Sequence, residues 1–144
     1  MVKKVKLDEL HIVAEMASRV YSSSKEELYD ELKESIDKKD TIFFLNYSED
    51  IPVGFAQCKL RYDYVEGTKT SPVGYLEGIF VKQEYRKKGY AKELIAECEQ
   101  WAKEHGCMEF ASDCELDNSA SISFHIKSGF TEVNRIVCFK KNLM

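Results

Sequence analysis

Proline and glycine are scarce in this sequence: two prolines and seven glycines in 144 residues. No Pro/Gly-rich linker, low-complexity tract or internal repeat divides the chain, so one domain spanning 1–144 is expected. Long hydrophobic runs are missing too. The longest, such as Ile42 to Leu45, are far too short to cross a bilayer, and the basic start Met-Val-Lys-Lys-Val-Lys lacks the apolar stretch of a signal peptide. The expectation is a cytoplasmic protein that does not engage a membrane. Only three histidines occur, scattered at 11, 105 and 125, so no zinc spacing is present and no metal is expected. The five cysteines are an odd number without a Cys-x-x-Cys pair, which reads as reduced, mostly buried thiols. Net basicity is absent as well. A formal charge of -4 excludes a general nucleic-acid binder and suits a cationic partner.

What is present is an ordinary globular composition, 44% hydrophobic and 32% charged. Val2 to Lys6 alternates weakly as a first strand. From Asp8, taken as an N-cap, Leu10, Val13, Met16, Ala17 and Val20 recur at helical spacing. Ser24 followed by Glu27 reads as a capping box that opens a second helix with Leu28, Leu32 and Ile36 on one face. Thr41 to Leu45 and Pro52 to Tyr62 read as paired strands around a Tyr47–Asp50 turn, and Gly74 to Lys82 as another strand. A strong amphipathic helix follows, with Ala91, Leu94, Ile95, Cys98, Trp101 and Ala102 as one stripe and Gly106 as its stop. Met108 to Ser112 is a short strand, Asn118 caps a helix to Ser128, and Phe130 to Lys140 reads as a final strand. The order β-α-α-β-β-β-α-β-α-β defines a mixed α/β (α+β) domain.

One motif carries chemistry. Arg86-Lys87-Lys88-Gly89-Tyr90-Ala91 lies between a strand and the long helix. A glycine turn there leaves backbone N–H groups and the positive end of the helix dipole facing outward, which makes an anion site. Neither the Walker loop nor the Gly-x-Gly-x-x-Gly fingerprint is present.

Arg86-x-x-Gly89-x-Ala91 after a strand resembles the pyrophosphate motif of the GNAT superfamily of N-acetyltransferases. Gly74-Tyr75-Leu76-Glu77-Gly78-Ile79-Phe80-Val81 is similar to the strand with which that family holds pantetheine, and Asn118 followed by Ser128-Gly129-Phe130 to its C-terminal signature. The similarity spans the whole chain. The finer resemblance, through Asp63-Tyr64-Val65-Glu66-Gly67, Ser71-Pro72-Val73 and Ala111-Ser112-Asp113, is to aminoglycoside 6'-N-acetyltransferases. This resemblance implies the GNAT acyl-CoA N-acyltransferase fold, with a mixed, mainly antiparallel sheet flanked by helices. It implies acetyl transfer from acetyl-CoA to the 6'-amino group of an aminoglycoside in a ternary complex, and a homodimer. A polyamine, an amino acid or a protein N-terminus is the alternative acceptor, and a non-catalytic acyl-CoA sensor is the rival of another class.

The reaction needs a base. For an amine with a lysine-like pKa, reaching the nucleophilic free base at pH 7 costs about 4.6 kcal/mol, and a nearby carboxylate can accept that proton. Glu77 is the first candidate, a charge inside an apolar strand, expected to share a face with Tyr75 and Ile79 while Gly78 leaves the other face open. Asp113, at the end of a strand, is the second. The resemblance adds Tyr21, Tyr64 and Asn134 as substrate positions, with Asn134 standing where relatives often carry an acid. It assigns Ile79, Phe80 and Val81 to pantetheine pairing, Arg86, Lys87, Lys88, Gly89, Tyr90 and Ala91 to the pyrophosphate, and Asn118 to the pantetheine arm. Four residues before the glycine of Gly129-Phe130, where many members have a tyrosine that protonates the leaving thiolate, this chain has His125. It can serve as that donor or simply pack in its helix.

Overall fold

A computed structural model describes all 144 residues. Its strands are β1 (Val2–Lys4), β2 (Thr41–Ser48), β3 (Ile51–Arg61), β4 (Val73–Val81) and β5 (Phe110–Ser112). The helices are α1 (Leu10–Ser18), α2 (Lys25–Ser35), α3 (Tyr90–Glu104) and α4 (Ser119–Lys127). The strands form one sheet in the order β1-β2-β3-β4-β5. All neighbours are antiparallel except β4 and β5, which run parallel and are joined through α3.

Side-chain alternation divides the sheet into two faces. Ile42, Phe44, Ala56, Cys58, Leu60, Leu76 and Val81 pack against Leu94, Ile95, Cys98, Trp101 and Ala102 of α3. On the opposite face Phe43, Leu45, Phe55 and Phe80 meet Leu10, Val13, Ala14, Met16 and Ala17 of α1 and Leu28 of α2. Each fully buried aliphatic side chain is worth about 1.5–3 kcal/mol of transfer free energy, so the two layers carry most of the stability. Asn46 is the polar exception. It is completely buried, and its amide donates to the Tyr90 carbonyl and to Glu93 Oε1, both at 3.1 Å. Those bonds tie the first turn of α3 to β2.

Three expectations are corrected by the structure. Asp8 is not a helix cap. A 3-10 turn at Leu7–Glu9 precedes α1, and the Glu9 carboxylate, not Asp8, closes it by accepting from the Lys6 N–H at 2.9 Å. Residues 130–140 form no strand, because α4 ends at Gly129 (φ +96°) and the segment then finds no pairing partner in its own chain. Ile136, Val137 and Phe139 are left exposed there.

The third correction concerns β4. Leu76 and Val81 lie on the same face although five residues separate them, which strict alternation forbids. The register explains it: Gln57 faces Gly78 while Cys58 faces Leu76, so Glu77 is an extra residue in a β-bulge. Tyr75 and Ile79 therefore lie on opposite faces instead of flanking Glu77 on one. Gly78 opens no free face either, since an ideal Cβ on it would stand 2.6 Å from the Tyr21 hydroxyl.

Candidate active site

The bulge aims Glu77 into a polar cluster. Arg61, the last residue of β3, lies along the sheet with its guanidinium 3.4 Å above the Tyr75 ring. It ends on Glu77, donating from Nε to Oε2 and from Nη2 to Oε1, each at 3.0 Å. The Tyr75 hydroxyl donates to Asp113 Oδ2, and Asp113 directly follows the last residue of β5. Tyr21, just beyond α1, brings its hydroxyl over Gly78 from the other side. Burial, followed by the charges of Glu77 and Asp113, raises the pKa of Tyr21, so its hydroxyl stays protonated and can donate. Burial raises Tyr75 still more strongly, reinforced by its bond to Asp113. Two carboxylates, two neutral phenols and one guanidinium thus converge at the middle of β4. Such a set can bind an ammonium and receive its proton.

The edge of β4 beside this cluster is open. Strand β5 pairs only with Gly74, Tyr75 and Leu76, so from Glu77 to Val81 the strand has a neighbour on the β3 side alone. The Lys82 N–H bonds the Val53 carbonyl, so pairing alternates to put Phe80 toward β3 and leaves the backbone groups of Ile79 and Val81 facing the open edge, where an extended ligand can pair with them. Beyond them comes the turn before α3. Lys87 (φ +63°) and Gly89 (φ +93°) are both left-handed, and Gly89 is the N-cap of α3. The amides of Lys87, Lys88 and Gly89 make no hydrogen bond within the chain. An ideal Cβ on Gly89 would meet nothing within 4 Å. Free amides in such a nest, at a helix N-terminus with Lys87 and Lys88 beside it, fit the diphosphate of a coenzyme A. Arg86 contributes differently: its Nε donates to the Val81 carbonyl at 2.8 Å, bracing the turn against the strand end.

The remaining sequence candidates lie elsewhere. Asn118 spends its side-chain oxygen on the Ser121 N–H at 3.1 Å as the cap of α4, which leaves its amide hydrogens free. Tyr64 is well exposed, and its hydroxyl accepts from the Gly67 N–H at 3.3 Å. Asn134 donates to Glu66 Oε1 at 2.9 Å. Tyr64 and Asn134 thus belong to a loop-and-tail group that no hydrogen bond joins to Glu77 and Asp113. His125 is turned inward. Its Nδ1 lies 2.7 Å from the Ser121 carbonyl and its Nε2 2.8 Å from Ser112 Oγ, whose hydroxyl also donates to the Leu76 carbonyl at 3.3 Å. Both ring nitrogens are thus engaged within the chain.

Sequence reasoning missed Arg61 and the link from Tyr75 to Asp113. The available signal was the polar alternation Gln57, Lys59, Arg61 on one face of β3, beside the strand that carries Glu77. No group of three or more His, Cys, Asp or Glu comes together in a way that could hold a metal. Among the thiols, the Cys58 contact and burial push Cys98 far up, and burial raises Cys107, so neither is an activated nucleophile.

Comparison with known proteins agrees with this architecture. The model of the acetyltransferase (GNAT) family matches residues 10–130. An aminoglycoside N(6')-acetyltransferase type 1 from Acinetobacter haemolyticus is 38% identical over 129 residues, covering 90% of this chain and 89% of that protein. One from Acinetobacter baumannii is 44% identical over 114 residues, 78% of each. The crystal structure of the aminoglycoside 6'-N-acetyltransferase AAC(6')-IG from A. haemolyticus superposes with a TM-score of 0.95 at 35% identity, covering 100% of this chain and 99% of that one. AAC(6')-Iy in complex with the bisubstrate analog CoA-S-monomethyl-acetylneamine gives 0.93 at 29% identity, with 99% and 97% covered. The chain belongs to the GNAT family of acetyltransferases, enzymes that take an acetyl group from acetyl-CoA.

Proposed function

We propose that this enzyme transfers acetyl from acetyl-CoA to the 6'-amino group of aminoglycosides, and so confers resistance to them. The observation that carries the reading is the Glu77–Asp113–Tyr21 cluster beside the open edge of β4. An acidic cluster flanked by phenols suits a polycationic amino sugar, and the edge brings a thioester alongside it. Glu77 or Asp113 receives the ammonium proton, Tyr21 orients the amine, and a backbone N–H in the segment 79–81 polarises the thioester carbonyl. Lys87, Lys88, Gly89, Tyr90 and Ala91 hold the diphosphate, with Arg86 bracing their turn. The Asn118 amide reaches the pantetheine arm, while Tyr64 and Asn134 contact more distant parts of the sugar. Transfer is direct, in a ternary complex of the acceptor amine and acetyl-CoA.

The stretch 1–144 works as one acetyltransferase domain on this reading. No helix is long and apolar enough to cross a membrane, and a cytoplasmic setting supplies acetyl-CoA. The functional unit is a homodimer in which residues 131–144 of one copy pair with the partner's sheet. Exposed Val133, Ile136, Val137 and Phe139 and the short outer strand β5 favour that arrangement. Light scattering that finds only monomer at micromolar concentration would overturn it.

Mass spectrometry of kanamycin incubated with the protein and acetyl-CoA tests the activity. One added acetyl, placed on the 6' nitrogen by fragmentation, is the expected product. No acetylation of kanamycin or tobramycin, with turnover on spermidine or an amino acid instead, refutes the aminoglycoside reading.

A further inference from the structure

Arg61 is an unexpected neighbour for an ammonium-binding cluster. Its charge opposes the substrate's, yet its placement is specific. The pairing of Arg61 with Val73 starts its side chain four residues from Glu77 along β4, and the chain crosses Tyr75 to close that gap. The guanidinium then meets both Glu77 oxygens in a fork, and the planar stack on Tyr75 holds the fork in place. Tyr75 in turn bonds Asp113. One cation therefore orients the first carboxylate directly and the second through an aromatic ring. The pair is not sequestered, since the Arg61 side chain is 40% exposed, so its contribution to folding is small. Stability alone does not account for so constrained a contact.

We propose that Arg61 is a positioning residue for the acetyl-accepting site: it clamps Glu77, and through Tyr75 also Asp113, in the orientation that receives the amine's proton. Its charge meanwhile weakens ground-state binding of a cationic acceptor. This rests on the reading of Glu77 and Asp113 as the acceptor carboxylates. With Arg61 in place the cluster of Arg61, Glu77 and Asp113 sums to a single negative charge. Without it the same cluster attracts a polycation more strongly but holds Glu77 loosely. Binding and turnover should then move in opposite directions, which a residue that merely supports the fold cannot produce.

The test is steady-state kinetics of kanamycin acetylation for the wild type, Arg61→Met and Arg61→Lys, with acetyl-CoA affinity measured by calorimetry. Arg61→Met keeps the stem and loses the charge. Its kcat should fall about tenfold or more while KM for kanamycin drops, with acetyl-CoA affinity unchanged. Arg61→Lys keeps the charge and loses the fork, so its kcat should fall about as far with KM at the wild-type value. A kcat within about twofold of wild type in either variant overturns the proposal, as does a raised KM with kcat intact. If Arg61→Met does not fold, Arg61→Lys decides alone. A wild type that leaves kanamycin unacetylated overturns the aminoglycoside reading beneath it, an outcome distinct from active wild type with equally active variants.

Discussion

Replacing Gly78 by alanine probes the site with a single methyl group. The backbone there is not left-handed, so alanine fits the strand itself. The new Cβ would stand 2.6 Å from Tyr21 Oη but 3.8 Å from Tyr21 Cζ. Ordinary contact begins near 3.4 Å, so the hydroxyl must retreat by roughly 0.8 Å. Tyr21 is 45% exposed and lies beyond the end of α1, so its ring can swing outward cheaply. Gly→Ala also reduces the freedom of the unfolded chain by about 0.4–1 kcal/mol, so the net stability change should lie within about 1 kcal/mol of zero. Catalysis should be far more sensitive, because misplacing a positioned group by about 1 Å can cost ~10²-fold. Initial rates should show kcat/KM for kanamycin reduced roughly ten- to a hundredfold at nearly unchanged melting temperature. The decisive measurement is the double variant. In Tyr21→Phe the clashing oxygen is gone and Cζ at 3.8 Å is already comfortable, so Gly78→Ala should then cost less than about twofold. If the two losses multiply instead, the collision with Tyr21 is not how Gly78→Ala acts, and the reasoning fails.

Three further outcomes are expected. Glu77→Gln keeps the shape and loses the charge, and kcat should drop about 10²–10⁴-fold in a thiol-release assay, with little loss of stability because its ion pair is partly exposed. Gly89→Val puts a β-branched residue at φ +93° and its side chain into the open space before the turn; calorimetry should show acetyl-CoA affinity reduced about tenfold or more, alongside a stability loss of about 1–3 kcal/mol. Glu109 accepts from the Thr70 hydroxyl and from the Lys69 and Thr70 amides, and these bonds hold its carboxyl below its ordinary pKa of 4.5. A depressed folded-state value stabilises the fold above the ordinary value and loses that effect as pH falls through the folded one. The stability gap between wild type and Glu109→Gln in urea titrations should therefore be open at pH 7 and narrow below about pH 4.5.

How much of this the sequence disclosed depended on whether a signal was local. The stripe of α3 was plain because one helix writes its own period, and Gly89 marked the turn because only a glycine is at ease in its conformation. Asn118 and Ser24 were readable as caps for the same reason: Ser24 Oγ accepts from the Glu27 N–H three residues on, at 3.2 Å. Strand β2 gave less. Thr41–Asn46 is buried on both faces, so it reads as a continuous apolar run whose sides only the fold can assign. Strand β4 concealed most, since nothing in Leu-Glu-Gly-Ile announces a bulge; the bulge exists only as a mismatch of register with β3. The partnership of Arg61 with Glu77 lies sixteen residues apart and depends on that mismatch, so alternation alone assigned Glu77 the wrong companions. The tail failed differently. Residues 136–139 have a strand's composition, but a strand needs a neighbour, and propensity does not supply one.

The bulge also explains how one strand can offer both an open edge and a charged face. A regular strand offers its ligands either an edge or a face, and the side chains on one face are about 7 Å apart. In β4 the edge from Glu77 to Val81 is unpaired, while the face at the same residues carries a carboxylate. The extra residue inserted at Glu77 turns that carboxylate toward Tyr21 and Arg61 without moving Leu76 and Val81 off the α3 core. A backbone amide of the edge and the carboxylate of the face thereby lie within a residue or two of each other along the strand. Deleting Glu77 would leave Leu76 and Val81 four residues apart, so regular alternation would keep both on the α3 face and the pairing with β3 would continue, but the carboxylate would be lost. The insertion therefore adds a carboxylate to the strand while the packing of the sheet against α3 is left as a regular strand would have it.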